Sequence, residues 1–293
     1  MKIRILEVAR PELPLDAIRV AGIEEQVLPT GCGVERVAVD AAGDREAFLR
    51  ALVEPADFVA IHVEGDTWTD ERKLARQVAW LRGHAECPGC FHPVESGASL
   101  GETSSPASEP ASDPGSDPGS DPGSGVDELI DRSDADRFDL DDVWTVGGLV
   151  PPSSLVFRGS ALSSVPDWFE SPIASLGFSL PVLLAAGGAL GCLDDALAAR
   201  TAETGETTGG RGLASSEREL LERRYVNAKL GFRYEGAVER FVAKQGIELA
   251  RRCLDAGDVS DARRHWGRAF AHLPFATAFG SGLLPLRLAV TWR

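Results

Sequence analysis

Residues Asp57–Glu95 read DFVAIHVEGDTWTDERKLARQVAWLRGHAECPGCFHPVE, and their pattern decides the fold class. Phe58, Val59, Ala60, Ile61 and Val63 form the short apolar run of a strand covered on both faces. The run stops at Glu64-Gly65-Asp66, two carboxylates flanking a glycine at the carboxyl end of that strand. In open α/β sheets this edge is where ligands bind. A hard cation such as Mg²⁺ or Mn²⁺ takes oxygen ligands of this kind, sharing them with substrate phosphates. Beyond the turn, Thr69 or Asp70 can cap a helix whose Leu74, Val78 and Leu81 make a core-facing stripe. A solvated acidic turn before a capped helix would share these features.

Outward from this stretch, 293 residues suffice for one large or two ordinary domains. The formal net charge is −15, and of 30 basic residues only Lys2, Lys73, Lys229 and Lys244 are lysines. Such a surface stays hydrated and excludes a general nucleic-acid binder. From Arg211 onward the balance reverses, with 15 basic against 9 acidic residues. Five cysteines and no signal-like apolar stretch after Met1 lead to the expectation of a cytoplasmic protein. The apolar run Leu176–Leu193 contains Pro181 and several glycines, so it reads as a buried helix running into a strand.

Lys2–Glu7 and Val34–Asp40 are further candidate strands, Glu25–Leu28 a plausible one, and Glu46–Val53 a short helix. Residues 96–137 are expected to be an acidic, flexible insertion, with DPGS repeated three times. Helices are expected over 215–233, 235–256 and 259–272, with Gly257-Asp258 as a turn. His84, Cys87, Cys90 and His92 are too crowded for two separated zinc-ligand pairs.

The ordered string Glu64, Gly65, Asp66, Trp68, Thr69, Asp70, then Lys73, Leu74, Gln77, Val78, Leu81, then Cys90, Phe91, His92 resembles family 2 glycosyltransferases. Their pattern is E-G-D-D-Y-W-T-D, K-L-x-x-Q-V-x-x-L and C-F-H. This chain is one residue shorter in the turn. A second block, DLDDVWTVGGLVPPSSLVFRGSALSSVPDWF at 139–169, resembles the family's later E-D-L-L-x-G-N-F-I-P-T-S-S-V-V-F-R and P-D-W-F. The resemblance implies a Rossmann-like mixed sheet of glycosyltransferase-A type, an α/β fold in two parts (1–95 and 138–210), followed by a basic helical region over 211–293. Within that region, Leu249 to Pro274 resembles one tetratricopeptide helix pair.

The resemblance further implies a nucleotide-sugar donor and a glycan or lipid-linked acceptor. It implies donor binding by Glu64, Asp66, Trp68 and Asp70, a Mg²⁺ or Mn²⁺ ion at Asp66 and Glu64, and an acceptor side at Ser153, Ser154 and Arg158. The family's nucleotide-binding P-T-Y-N and D-D signatures are absent here. Its catalytic aspartate falls at Gly177, and its Y-R-x-H segment is replaced by Arg200-Thr201-Ala202-Glu203. Sugar transfer with inversion needs a carboxylate base, and Asp167 and Glu170 are the nearest acids. Two readings follow, a transferase with impaired activity and a non-catalytic binding or scaffold descendant. The arginines of 211–293, including Arg223, Arg224, Arg251, Arg252, Arg263, Arg264 and Arg268, could meet anionic lipid headgroups as a peripheral contact at the inner face of the membrane.

Overall fold

A computed structural model describes residues 1–9, 23, 26–28, 31–40, 44–97, 137–146, 150–201 and 213–271. The chain divides into two compact units, Met1–Thr207 and Thr208–Arg293. The acidic segment 98–136, Gly147 and Pro274 fall outside the described residues.

The first unit is a mixed α/β structure. Strands β1 (Lys2–Val8), β2 (Gly33–Val39) and β3 (Phe58–Val63) pair in parallel, with β1 in the middle. Helix α1 (Arg45–Val53) lies between β2 and β3 in sequence, and the Asp44 carboxylate caps it by accepting from Ala47 N at 2.9 Å. Beyond β3, β8 (Val156–Arg158) runs antiparallel to both β3 and β5 (Gly89–Phe91). The sheet continues through β9 (Leu190–Cys192), parallel to β5, to β7 (Arg137–Phe138), antiparallel to β9. The seven-stranded order is thus β2-β1-β3-β8-β5-β9-β7.

A second sheet of three strands has the order β4-β10-β6, from β4 (Asp66–Trp68), β10 (Ala198–Thr201) and β6 (Val94–Gly97). The acidic turn therefore leads into a strand before the helix begins. Gly65 makes this possible: its φ of +86° is a left-handed conformation that costs a side-chain-bearing residue energy.

Helix α2 (Lys73–Gly83) buries Leu74, Val78 and Leu81 as their spacing requires. Each such side chain contributes about 1.5–3 kcal/mol when fully buried. The helix starts later than a cap at Thr69 or Asp70 would place it. Asp70 instead accepts from Arg72 N at 2.6 Å and from the Arg76 guanidinium at 3.1 Å, so it shapes the turn that precedes α2. At the other end, Arg158 donates to the carbonyls of Leu81, Cys87 (3.0 Å) and His84 (3.1 Å). These include carbonyls that a helix terminus leaves without intrahelical partners.

The apolar run around 176–193 forms α4 (Ser179–Ala185) and then β9, as its pattern predicts. No helix among the described residues is long and apolar enough to cross a membrane. Residues 26–28 carry no strand. Val27 N donates to Glu71 O at 2.7 Å, and the Gln26 amide bonds Asp70 O and Leu74 N, tying this segment to the start of α2. Helix α3 (Leu140–Val146) opens on Asp139, whose carboxylate accepts from the Asp141 and Asp142 N–H groups.

The second unit contains α5 (Leu213–Lys229), α6 (Glu235–Asp255) and α7 (Val259–Ala271). Helices α6 and α7 are joined at Gly257, φ +80°, and pack closely enough that a Cβ on Gly246 would lie 2.9 Å from the Ala269 Cβ. Arg223 is not part of a basic surface: it is buried against Phe241 and paired with Glu219 at 3.2 Å. Arg252 and Arg264 pair with Glu248 and Asp261. Arg224, Arg251, Arg263 and Arg268 are exposed.

Candidate functional site

The carboxyl edge of the parallel strands is assembled where β1 and β3 end together. Glu64 N donates to Val8 O at 3.0 Å, and the Gly65 turn then carries the chain into β4. Both Glu64 and Asp66 are buried. Strand β10 runs antiparallel to β4 with Arg200 directly opposite Asp66. The Arg200 Nε lies 3.4 Å from Asp66 Oδ1, with the carboxylate side chain 1% exposed and the arginine side chain 51% exposed. The other oxygen, Asp66 Oδ2, is sealed from solvent and has no hydrogen-bond partner among the described residues.

Beneath this edge lies a set of buried polar side chains. His62 packs edge-on to Trp68 with ring centroids 5.3 Å apart. Burial pulls the His62 pKa down to about 4, so its imidazole is neutral. The Trp68 indole N–H donates to Ser153 O at 3.0 Å, and the Lys73 ammonium sits 4.1 Å from the Trp68 ring centroid. Lys73 donates to Gln77 Oε1 at 2.8 Å. The Gln77 amide in turn donates to Ser154 O at 2.7 Å and Cys90 O at 3.3 Å, joining α2, β5 and the turn before β8. Burial pushes the Cys90 thiol up to about 12, which makes it an inert core residue.

The expected acceptor residues are engaged by the chain itself. The Ser153 hydroxyl accepts from Val63 N at 2.9 Å, and the Ser154 hydroxyl donates to Pro151 O at 2.7 Å. Both serines are fully buried. Arg158 is turned to the end of α2, as described above. Among the donor-side residues, Trp68 is a core residue beneath the edge, and Asp70 is held by Arg72 and Arg76. Asp167 and Glu170 are exposed on a single helical turn, Asp167–Glu170. That turn is anchored to α1, because the Arg45 guanidinium donates to Phe169 O at 2.6 Å and Ala174 O at 3.1 Å. The structure thus joins Glu64, Asp66, Trp68, Ser153 and Ser154 in one region, and ties Asp167 and Glu170 to α1.

A divalent cation such as Mg²⁺ needs a near-octahedral set of oxygens, several of them from water. Asp66 offers one oxygen that faces a guanidinium and another that solvent cannot reach. Among the described residues no group of three His, Cys, Asp or Glu side chains is placed to hold a metal ion. As they stand, the residues at Asp66 do not fit a hydrated divalent ion; they fit the arginine already there. The pairing with Arg200 escaped the sequence because the partners are 134 residues apart. The hub at Gln77 had a local signal, its four-residue spacing from Lys73 on one helix face.

An open depression of ≈ 430 Å³ lies elsewhere, lined by Arg76, Trp80, Cys192, Leu193, Asp194 and Asp195. Arg76 is already paired there with Asp70 and Asp195.

No family model matches this chain, and no curated protein matches it. Among solved structures it is similar to that of S. aureus TarS 1-349, at 13% sequence identity and a TM-score of 0.44, over 94% of this chain and 93% of that one. So distant a likeness carries no argument about what this chain does.

Proposed function

We propose that this protein is glycosyltransferase-like and binds a nucleotide-sugar donor at the carboxyl edge of β1 and β3, passing the sugar to a hydroxyl of a glycan or lipid-linked acceptor. One observation carries the reading. The Glu64-Gly65-Asp66 turn closes the central strand β3 and sets Asp66 opposite Arg200, so carboxylate and guanidinium meet at the sheet edge where α/β proteins take ligands. The two ordered sequence blocks support the same class. The divalent ion implied by the resemblance would have to displace Arg200 from Asp66.

A second reading, a non-catalytic binding or scaffold protein of the same fold, is favoured by a separate observation. No ionisable residue occurs from Ser171 to Gly191, and the exposed acids Asp167 and Glu170 belong to a turn anchored on α1. Assays of sugar release and transfer from uridine- and guanosine-diphosphate sugars decide between them. Turnover above a Glu64→Ala/Asp66→Ala control establishes the transferase; nucleotide binding with no turnover establishes the binding protein. Absence of binding to these nucleotides would overturn the transferase and leave the scaffold reading. Sedimentation with anionic vesicles, with and without added salt, tests peripheral membrane contact through Arg224, Arg251, Arg263 and Arg268.

A further inference from the structure

We propose that Arg200 is the built-in cation of this site, so that a nucleoside diphosphate is held by its guanidinium without a divalent metal. The inference rests on the nucleotide-binding reading above and deepens it by naming the group that neutralises the diphosphate.

Three features of the pair support it. First, the partners are fixed by backbone register, since Arg200 stands opposite Asp66 in the β4–β10 ladder. Second, the burial is lopsided: Asp66 is 1% exposed and Arg200 51%, so the carboxylate forms the floor and the guanidinium the open side. Third, contact with Asp66 uses Arg200 Nε, and among the described residues its terminal nitrogens make no other hydrogen bond. A guanidinium carries five N–H donors in a planar fork suited to paired oxygens of phosphate. The Nε contact with a buried carboxylate leaves the two terminal nitrogens outside that contact, on a side chain that is half exposed.

Asp66 Oδ2 bears on the same point. A buried carboxylate oxygen without a partner among the described residues raises the cost of leaving Asp66 without a nearby positive charge. Arg200 is the cation paired with Asp66 in the structure. A divalent ion at Oδ1 would meet a second positive charge from this arginine and repel it. The diphosphate instead meets an arginine already held in place.

The test is titration calorimetry of the whole chain with uridine diphosphate and guanosine diphosphate, in EDTA and again with Mn²⁺. Arg200→Gln and Arg200→Lys are measured beside the wild type, with thermal melts to confirm that each variant is folded. The expected result is binding in EDTA that a folded Arg200→Gln weakens about 10- to 100-fold, the loss of a charge-assisted hydrogen bond. Arg200→Lys should fall between, because it keeps the charge and loses the fork. Binding that appears only with Mn²⁺ overturns the inference and leaves the nucleotide reading standing. Binding in EDTA that is unchanged in a folded Arg200→Gln also overturns it. No binding in either buffer overturns both.

Discussion

Lys73 holds its ammonium group 4.1 Å from the ring centroid of Trp68, with both side chains closed off from solvent. A cation over an indole face is attracted to it. Burial nevertheless pulls the Lys73 pKa down to about 7. In the unfolded chain the same group titrates near 10.5. Between these values the unfolded state binds more protons, so stability rises with pH, by up to about 1.4 kcal/mol per pH unit. Urea unfolding from pH 7.5 to 9.5 should show this rise in the wild type and its loss in Lys73→Met. Equal slopes in the two proteins would mean that Lys73 is charged in the fold.

His92 makes the opposite end of the pH range costly. Burial holds its pKa at about 3, and its Nδ1 lies 2.6 Å from Pro93 O and 3.3 Å from Leu197 N. Because the folded pKa is depressed below the ordinary value of 6.5, stability is full above that value and declines as pH falls toward 3. The slope approaches about 1.4 kcal/mol per pH unit for this one group. His92→Asn, which retains a hydrogen-bonding group near the Nδ1 position, should flatten the decline between pH 6 and 4, as followed by chemical unfolding.

Gln77→Leu should destabilise the first unit by about 3 kcal/mol, because it leaves the Ser154 carbonyl and the Lys73 ammonium without their partner in a buried setting. Denaturant unfolding measures this directly. A change under 0.5 kcal/mol would show that the amide is dispensable.

Arg158→Lys separates a structural from an acceptor-binding role. A lysine cannot reproduce the fork that reaches the carbonyls of Leu81, His84 and Cys87, so a loss of about 2 kcal/mol in stability is expected. Nucleotide affinity of the folded variant should match the wild type. Full stability with altered transfer to an acceptor would reassign the residue.

The elements that local pattern can specify were legible. Phe58–Val63 is a continuous apolar run and forms β3; Leu74, Val78 and Leu81 share one face and form α2. The three helices of the second unit fall within a few residues of their expected limits. What pattern could not give was β4. Asp66–Trp68 is three residues long and becomes a strand only by pairing with Ala198–Thr201. The same non-local pairing hid the Asp66–Arg200 contact. The contact of Ser153 with Val63 N was hidden for a related reason: a hydroxyl at a strand entry looks alike in sequence whatever backbone group it meets. Of the expected strand Glu25–Leu28, residues 26–28 carry no strand because Gln26 and Val27 bond to the approach of α2, and Glu25 lies outside the described residues.

The order of strands makes the two halves of the first unit interlock. Strand β8 comes after residues 98–136 in the chain, yet lies between β3 and β5, which come before them. Strand β10 lies in the same way between β4 and β6. The polypeptide is therefore braided across that segment, and its continuity there is not what holds the halves together. If a protease cut within 98–136, the fragments should run as two bands in detergent and elute as one particle without it. The two pieces, made separately, become candidates for a split protein that regains its fold only when both are present.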